Sequence, residues 1–389
     1  MHITAAVSRP NTQVPELEEI ELEPPRGDEV LVRIVATGIC HTDIHSHAGH
    51  GIGRIVPKPI VLGHEGAGVV EAIGADVTTL RVGDHVVLSG GSCGACPSCR
   101  AARPTYCRHA MQAGFGGQRL DGSSPLSQNG ARLAGSFFGQ SSFGTYAVAA
   151  ARTAVPVPKD VPLHLLGPLA CGMITGAGSI IEAFKVRPGQ SVVIFGTGGV
   201  GLAAVMGACI AGAARVVAVD LNARRLALAQ ELGATDGVPS GDGMDEALRT
   251  ILPDGFDFSF VTADHPSVYA SALSCLGAQG SCGIAVAPRG EWSVDVAHLL
   301  AGGRKLQGII GGSANPQTFI PMLVEYWRQG RFPFDRLIQT YPFADIARAW
   351  DDAISGRTVK PVLLMPHGLN HLAQAATSPD QPAGDVSIA

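Results

Sequence analysis

Runs of like charge are missing from this chain. Its 28 basic residues are dispersed among 33 acidic ones, for a formal charge of −5, so the electrostatic footprint of a nucleic-acid-binding protein is absent. Long apolar runs are missing as well. No stretch reaches the roughly 18 apolar residues of a membrane span, and the opening MHITAAVSRPNTQV has neither the basic nor the apolar region of a secretory signal. A cytoplasmic location is the expectation. Charged residues are few, 16% against 46% hydrophobic, and glycines number 50, which excludes a disordered or fibrous chain and describes a loop-rich globular one. At 389 residues the chain exceeds the roughly 100–200 residues of one domain, so two domains sharing a cleft are expected. A reducing compartment disfavours disulfides. Four of the nine cysteines are clustered, and in that setting clustered thiols read as metal ligands.

From about Glu18 to Leu88 short strands alternate with Gly and Pro turns, as in EVLVRIVATGI, AGVVEAIG and HVVLSG, the pattern of an all-β subdomain. Between Gly90 and Ser142 comes a Cys-, Gly- and Ser-rich stretch with little periodicity, too long for an ordinary loop unless something braces it. From Gln190 the texture changes. Apolar runs such as SVVIFG and RVVAVD alternate with GLAAVMGACIAG and ARRLALAQELG, as βαβ units and a parallel sheet require. After about Gly312 a helical stretch, TFIPMLVEYWRQG, precedes a last strand, KPVLLMP, that returns the chain toward the first domain. The expected division is 1–172, 173–312 and 313–366, with a flexible tail over 367–389. No solenoid-like repeat interrupts this α/β plan.

Cys93, Cys96, Cys99 and Cys107 form CxxCxxCx7C. Three thiolates from one tight turn and a fourth closing a short loop give tetrahedral coordination and a closed, structural metal site. An iron–sulfur cluster is the alternative, but the last spacing differs from ferredoxin runs. A second set is more dispersed: Cys40 in GICHTDIH, His64 in GHE and Cys171 in LACGMITGAG. Singly, an apolar-flanked cysteine such as Cys171 is more often core than ligand. Together, two thiols and an imidazole leave one tetrahedral position free, the arrangement of a catalytic zinc.

GTGGVG, Gly196 to Gly201, follows the apolar run SVVIF and opens a helix-like stretch, the context a dinucleotide fingerprint needs. Gly196, Gly198, Gly199 and Gly201 permit a tight turn and close backbone approach, with pyrophosphate at the positive end of the helix. Asp220 closes RVVAVD nineteen residues beyond Gly201. A carboxylate there accepts both ribose hydroxyl protons and repels a 2′-phosphate, favouring NAD. The neighbouring Arg224 and Arg225 could tolerate that phosphate, which keeps NADP as second choice.

The order of these motifs resembles the zinc-containing medium-chain dehydrogenase/reductase family over essentially the whole length up to Pro366. FFGQSSFGTYAV, LLGPLACGMITGAG and QGRFPFDRLI are similar to its aryl-alcohol (benzyl-alcohol) branch. The resemblance implies a mainly β, GroES-like catalytic domain with a zinc lobe, joined to a Rossmann domain, and two zinc ions per chain with NAD. Cys40, His64 and Cys171 are then ligands of the catalytic zinc, with Glu65 behind the metal and Asp43 beside His64. The resemblance makes Thr42 and His45 a proton relay. It also places His41 and Lys360 at the pyrophosphate, Arg225 at the adenosine ribose, and Thr175 and Val200 beside the nicotinamide. Ser89, Phe137 and Phe138, with Phe143 close in sequence, would wall the substrate pocket, and a small residue at 89 leaves room for a ring.

The implied activity is reversible oxidation of a primary aromatic or allylic alcohol to the aldehyde, in a homo-oligomer. Two thiolates neutralise Zn²⁺, and its Lewis acidity eases loss of the hydroxyl proton. An aliphatic alcohol dehydrogenase and a formaldehyde dehydrogenase acting on a thiol adduct are alternatives within the family. The latter needs basic residues at the pocket mouth, and no such cluster is present. A zinc-free quinone or enoyl reductase would have no use for the Cys40, His64 and Cys171 set. Outside enzymology the rival is an NAD(H)-binding redox sensor, for which the relay residues would be idle.

Overall fold

The computed structural model describes residues 1–286 and 290–368. Six parallel strands form one sheet in the order Asp236–Pro239, Arg215–Asp220, Ser191–Phe195, Phe256–Val261, Leu276–Ile284, Lys305–Gly308. In chain order this is 3-2-1-4-5-6, the doubly wound Rossmann arrangement. All five residues of Ser191–Phe195 are buried because helices cover both faces, which is why the run is continuously apolar and not alternating. Val192 and Ile194 pack with Leu202, Val205 and Met206 of the helix Gly199–Ala211. Val193 and Phe195 point the other way, onto Val268, Tyr269 and Leu248. Each such fully buried side chain contributes about 1.5–3 kcal/mol.

Among the described residues, the remainder folds around two further sheets. One has the order Ile60–Val61, His2–Ser8, Glu16–Leu22, Leu126–Gln128, Ala131–Leu133. The other runs Ala154–Val157, His85–Leu88, Gly66–Ile73, Glu29–Gly38, Lys360–Leu364, Ile338–Pro342, with Tyr146–Ala150 also paired to Glu29–Gly38. The returning strand sets Val362 opposite Gly38.

Three features depart from the sequence reading. The first strand begins at His2, not near Glu18. The helix His41–Ala48 interrupts what was expected to be all-β. The long Gly90–Ser142 stretch contains a hairpin, Leu126–Gln128 with Ala131–Leu133, turned by Asn129 and Gly130 at φ of 52° and 75°. Of the expected tail, His367 and Gly368 are packed instead: His367 bonds Ile34 O and its ring lies 5.9 Å from Tyr146. Residues 369–389 lie outside the described residues.

The short helix Leu163–Leu166 packs over Glu29–Gly38 and Gly66–Ile73, and burial there pushes the His164 imidazole down to about 4. The unfolded chain takes up a proton near pH 6.5 that folded His164 refuses until about pH 4, so stability falls as pH drops through that window. His164→Gln removes this linkage. The melting-temperature gap between the variant and the parent protein should therefore shift in the variant's favour between pH 7 and pH 5; a constant gap contradicts it.

Candidate active site and metal centres

Strand Glu29–Gly38 delivers the chain to Cys40, which precedes the helix His41–Ala48. Asp43, in the first turn of that helix, is fully buried. One of its oxygens accepts the Cys40 amide at 3.0 Å. The other accepts the Gly63 amide at 3.0 Å and lies 3.0 Å from His64 Nδ1. One carboxylate thus fixes two distant segments and turns His64 Nε2 inward. Gly63 has φ of +88°, and a Cβ on it would lie 2.5 Å from Phe143 N, so only glycine fits this approach. Cys171 completes the group, its Sγ 3.3 Å from His64 Nε2 and 3.9 Å from Cys40 Sγ.

These separations suit a metal. Zinc–sulfur bonds of about 2.3 Å place neighbouring sulfurs of a tetrahedron about 3.8 Å apart, and Cys40, His64, Glu65 and Cys171 have their ligand atoms within 4.8 Å of one another. The electrostatics agree. A hydrogen bond from Cys171, aided by His64 and the Lys360 charge, drives the Cys40 thiol well below its ordinary value. The same contact with Cys40, and burial, push Cys171 well above it. Burial opposes a charge on His64, yet Asp43, by charge and hydrogen bond, together with Cys40, carries the imidazole well above its usual range. Two close sulfurs resist joint ionisation unless a cation lies between them.

Glu65 is fully buried and Lys360 nearly so. Lys360 Nζ donates to both Glu65 oxygens, at 2.8 and 3.0 Å, and to Ile39 O at 3.3 Å. Burial raises the Glu65 carboxyl despite this partner. A Cβ on Gly38 would collide with Glu65 Oε2, so the glycine makes room for the carboxylate. Lys360, expected at the pyrophosphate, has its three donors directed at Glu65 and Ile39. Its aliphatic stem runs beneath the fingerprint, 3.7 Å from where a Gly199 Cβ would be.

At the fingerprint, Gly196 has φ of +96°, and a Cβ on Gly201 would collide with Gly196 O. A Cβ on Gly198 would meet nothing within 4 Å; the turn is open there. Asp220 accepts Thr197 N and Oγ1, each at 2.7 Å, through one oxygen and Asn222 N at 2.8 Å through the other, so the carboxylate is fixed against the turn. Arg225 reaches away from its own helix to Gly356 O at 3.4 Å, and its Nε is buried without a hydrogen-bond partner. Val200 lies beside Gly172, the residue after Cys171. Thr175 sits one turn into the helix Gly172–Gly178, its amide on Cys171 O at 3.0 Å. His41 opens to solvent, with its ring centroid 6.4 Å from that of His45. The protein mass around it, with the charges of Lys360 and Arg225, lowers its pKa. Thr42 Oγ1 is 3.9 Å from Cys40 Sγ, and His45 lies one turn further along the same helix.

Of the residues expected to wall the pocket, the structure leaves Phe138 partly accessible. Its ring stacks on His64, centroids 4.6 Å apart and planes inclined by 26°. Phe137 and Phe143 have no exposed surface. They back the wall and do not face the cleft. Ser89 is 3% exposed, and its hydroxyl is spent on Thr153 O at 2.9 Å. Sequence reasoning missed Gln140, which accepts Gly66 N at 3.0 Å and donates to His64 O at 3.1 Å and Leu88 O at 3.0 Å. The strand ends flanking the ligand turn hang on this one buried amide.

The four-cysteine lobe is equally compact. Cys93 and Cys99 sulfurs lie 3.9 Å apart, Cys96 and Cys99 3.5 Å, Cys96 and Cys107 3.9 Å, again the spacing of tetrahedral thiolate ligands. The amides of Cys93, Cys96 and His109 donate to these sulfurs. Backbone hydrogen bonds, Arg108 N–H first among them, bring Cys96 down to about 6. Burial pushes Cys99 up to about 12.

Two family models match the chain: the alcohol dehydrogenase GroES-like domain over residues 26–159 and the zinc-binding dehydrogenase over 199–326. Geraniol dehydrogenase of Castellaniella defragrans is 45% identical over 353 residues, covering 90% of this chain and 94% of its own. An alcohol dehydrogenase zinc-binding domain protein from Burkholderia ambifaria superposes with a TM-score of 0.90 at 47% identity, over 94% of this chain and all of its own. Benzyl alcohol dehydrogenase from Acinetobacter calcoaceticus follows, with a TM-score of 0.89 at 41% identity over 94% and 99%.

Replacing Asp43 by Asn turns one acceptor into a donor facing an N–H. Loss of such support typically weakens a metal site roughly 10–100-fold. Chelator competition on Asp43→Asn should show that loss at the Cys40 site and none at the four-cysteine lobe; equal loss at both refutes the local role.

Proposed function

We propose that this chain, which belongs to the zinc-containing medium-chain dehydrogenase/reductase family and is a zinc-dependent, NAD-linked alcohol dehydrogenase, works on primary alcohols whose carbinol carbon is benzylic or allylic. The convergence of Cys40, His64 and Cys171 on one point carries the chemistry. The substrate class is supported by two relatives, one named for geraniol and one for benzyl alcohol, and by Phe138 as the accessible aromatic surface beside His64.

In this reading Cys40, His64 and Cys171 hold the catalytic zinc, and Cys93, Cys96, Cys99 and Cys107 the structural one. Zinc, when bound, supplies Lewis acidity toward the alcohol oxygen, and NAD supplies the hydride acceptor. Asp43 holds His64 in the tautomer that presents Nε2. The Thr42 hydroxyl takes the substrate proton and passes it toward His45 at the solvent side of the same helix. Glu65, its charge balanced by Lys360, sits behind the ligands and stays out of the cleft. The glycine turn receives pyrophosphate at the start of the helix Gly199–Ala211, and fixed Asp220 binds the ribose hydroxyls, with Arg225 at the ribose edge and Thr175 and Val200 beside the nicotinamide. His41 faces the pyrophosphate from the open side of the cleft.

The domain limits we propose are 1–172 and 313–366 for the catalytic unit and 173–312 for the NAD unit, a division supported by the return strand Lys360–Leu364 beside Glu29–Gly38. A homo-oligomer, dimer or tetramer, is supported by the edge strand Lys305–Gly308, flanked by exposed Val296, Leu300 and Ile310. A cytoplasmic location is supported by nine free cysteines. Among the described residues no single helix is long and apolar enough to cross a membrane.

Two measurements test this reading. Cys171→Ala should abolish alcohol oxidation while NADH binding survives; retained turnover overturns the ligand assignment. NADH formation against a panel should rank cinnamyl, benzyl and terpenoid allylic alcohols above ethanol and 1-propanol in kcat/KM, by about tenfold or more if a ring-sized apolar group adds at least 1.4 kcal/mol of binding. A preference for short aliphatic alcohols leaves the dehydrogenase assignment standing and removes the substrate class.

A further inference from the structure

The structure shows where the four-cysteine lobe presses. Between Cys99 and Cys107 the turn Pro104–Tyr106 brings Tyr106 Oη to within 2.7 Å of Ser313 Oγ, and the same oxygen receives the Ile310 amide at 3.5 Å. Beside it, Thr105 sits so close to Gly311 that a Cβ there would lie 2.6 Å from Thr105 Cγ2. Thr105 Oγ1 is buried and makes no hydrogen bond, so the side chain serves as a filled shape and not as a polar partner.

The segment the lobe meets is unusual. Gly311, Gly312 and Ser313 all have positive φ, 55°, 64° and 56°, a left-handed run that persists only where its surroundings dictate it. Its far side lies flat on the helix Gly172–Gly178. A Cβ on Gly312 would collide with Ile174 O and lie 2.6 Å from Gly178 Cα, and one on Gly178 would lie 3.0 Å from Gly312 Cα. That helix starts at Cys171 and carries Thr175. Its other face is pressed on the fingerprint helix: a Cβ on Gly176 would collide with Val200 O, and one on Gly207 would lie 2.9 Å from Ala177 Cα.

Glycine turn, Cys171 helix and fingerprint helix therefore form a stack in which backbone meets backbone, and the lobe bears on it through the Tyr106 and Thr105 side chains. Flexible side chains absorb displacement by changing rotamer, whereas backbone contacts at this distance transmit it. We propose that the four-cysteine lobe is a brace for the Cys171 helix, and that Tyr106 is the positioning residue through which it acts on both the third metal ligand and the cofactor seat. This rests on the reading of Cys171 as a ligand of the catalytic metal.

The test uses the metal-loaded enzyme with Tyr106→Phe, Ser313→Ala and the double variant. NADH affinity is read by fluorescence titration, and metal loss by transfer to 4-(2-pyridylazo)resorcinol. One hydrogen bond of ordinary strength corresponds to roughly a three- to tenfold change. Each single variant should raise the NADH Kd, the KM for NAD and the rate of loss of one of the two metals by that factor, with kcat at saturating coenzyme changed less than about twofold. The double variant should be no worse than either single, since both remove the same contact. Folded variants with unchanged NADH Kd and unchanged metal loss, even with a lowered melting temperature, overturn the proposal and reduce the contact to a staple of the fold. Failure of the ligand reading is separable: the Cys171→Ala variant would then hold as much metal as the parent enzyme.

Discussion

Asp43 is the group on which the site's geometry turns. A fully buried carboxylate survives only if its lone pairs are used, and here they receive the Cys40 amide, the Gly63 amide and face His64 Nδ1. Each such charge-assisted bond contributes about 1.5–3 kcal/mol, and together they tie the end of one strand to the turn that precedes another. Cys40 and His64 are thereby placed relative to each other before any third ligand is considered. Cys171 comes from a separate segment, held by the packing of its own helix on the fingerprint.

A second buried charge lies behind the first. Glu65 and Lys360 share a site almost closed to water, where an unpaired ion would cost several kcal/mol. The pair sits between the sulfurs and the glycine turn, touching Gly38 on one side and Gly199 on the other. Metal ligands and dinucleotide fingerprint thus share one electrostatic floor. The left-handed residues Ser136, Phe138 and Ser141 crowd the other side, pinned by Gln140 and by Ser141 Oγ on Val61 O at 2.6 Å, and they present the Phe138 ring to His64.

What sequence made legible was whatever depends on local spacing. CxxCxxCx7C, GHE and GTGGVG each carry their physical reason within a dozen residues, and the buried strands announce themselves by continuous β-branched runs. Contacts across the chain had no such signal. Nothing near Lys360 points to Glu65, 295 residues away, and the family resemblance sends it to the pyrophosphate instead. Phe137 and Phe138 are identical letters, and only φ of +51° at Phe138 turns one to the cleft and leaves the other in the core. The hairpin at Asn129 and Gly130 was readable, because an Asn-Gly pair favours the positive φ values of a tight turn; the composition of the surrounding stretch obscured it. Gln140 looks like any polar residue in a serine-rich loop, and its burial follows from tertiary packing alone.

The pairing of Lys360–Leu364 with Glu29–Gly38 has a bearing on how the molecule is made. At a synthesis rate of 5–20 residues per second, Glu29–Gly38 waits on the order of tens of seconds for this neighbour to leave the ribosome. The parallel sheet, whose strands all lie between Ser191 and Gly308, is available to fold in that interval. Glu65 receives its counter-charge only when Lys360 emerges, so an interrupted nascent chain carries an acid it has no means of burying. Emergence of Lys360 and completion of the active centre's buried ion pair are in this protein the same event.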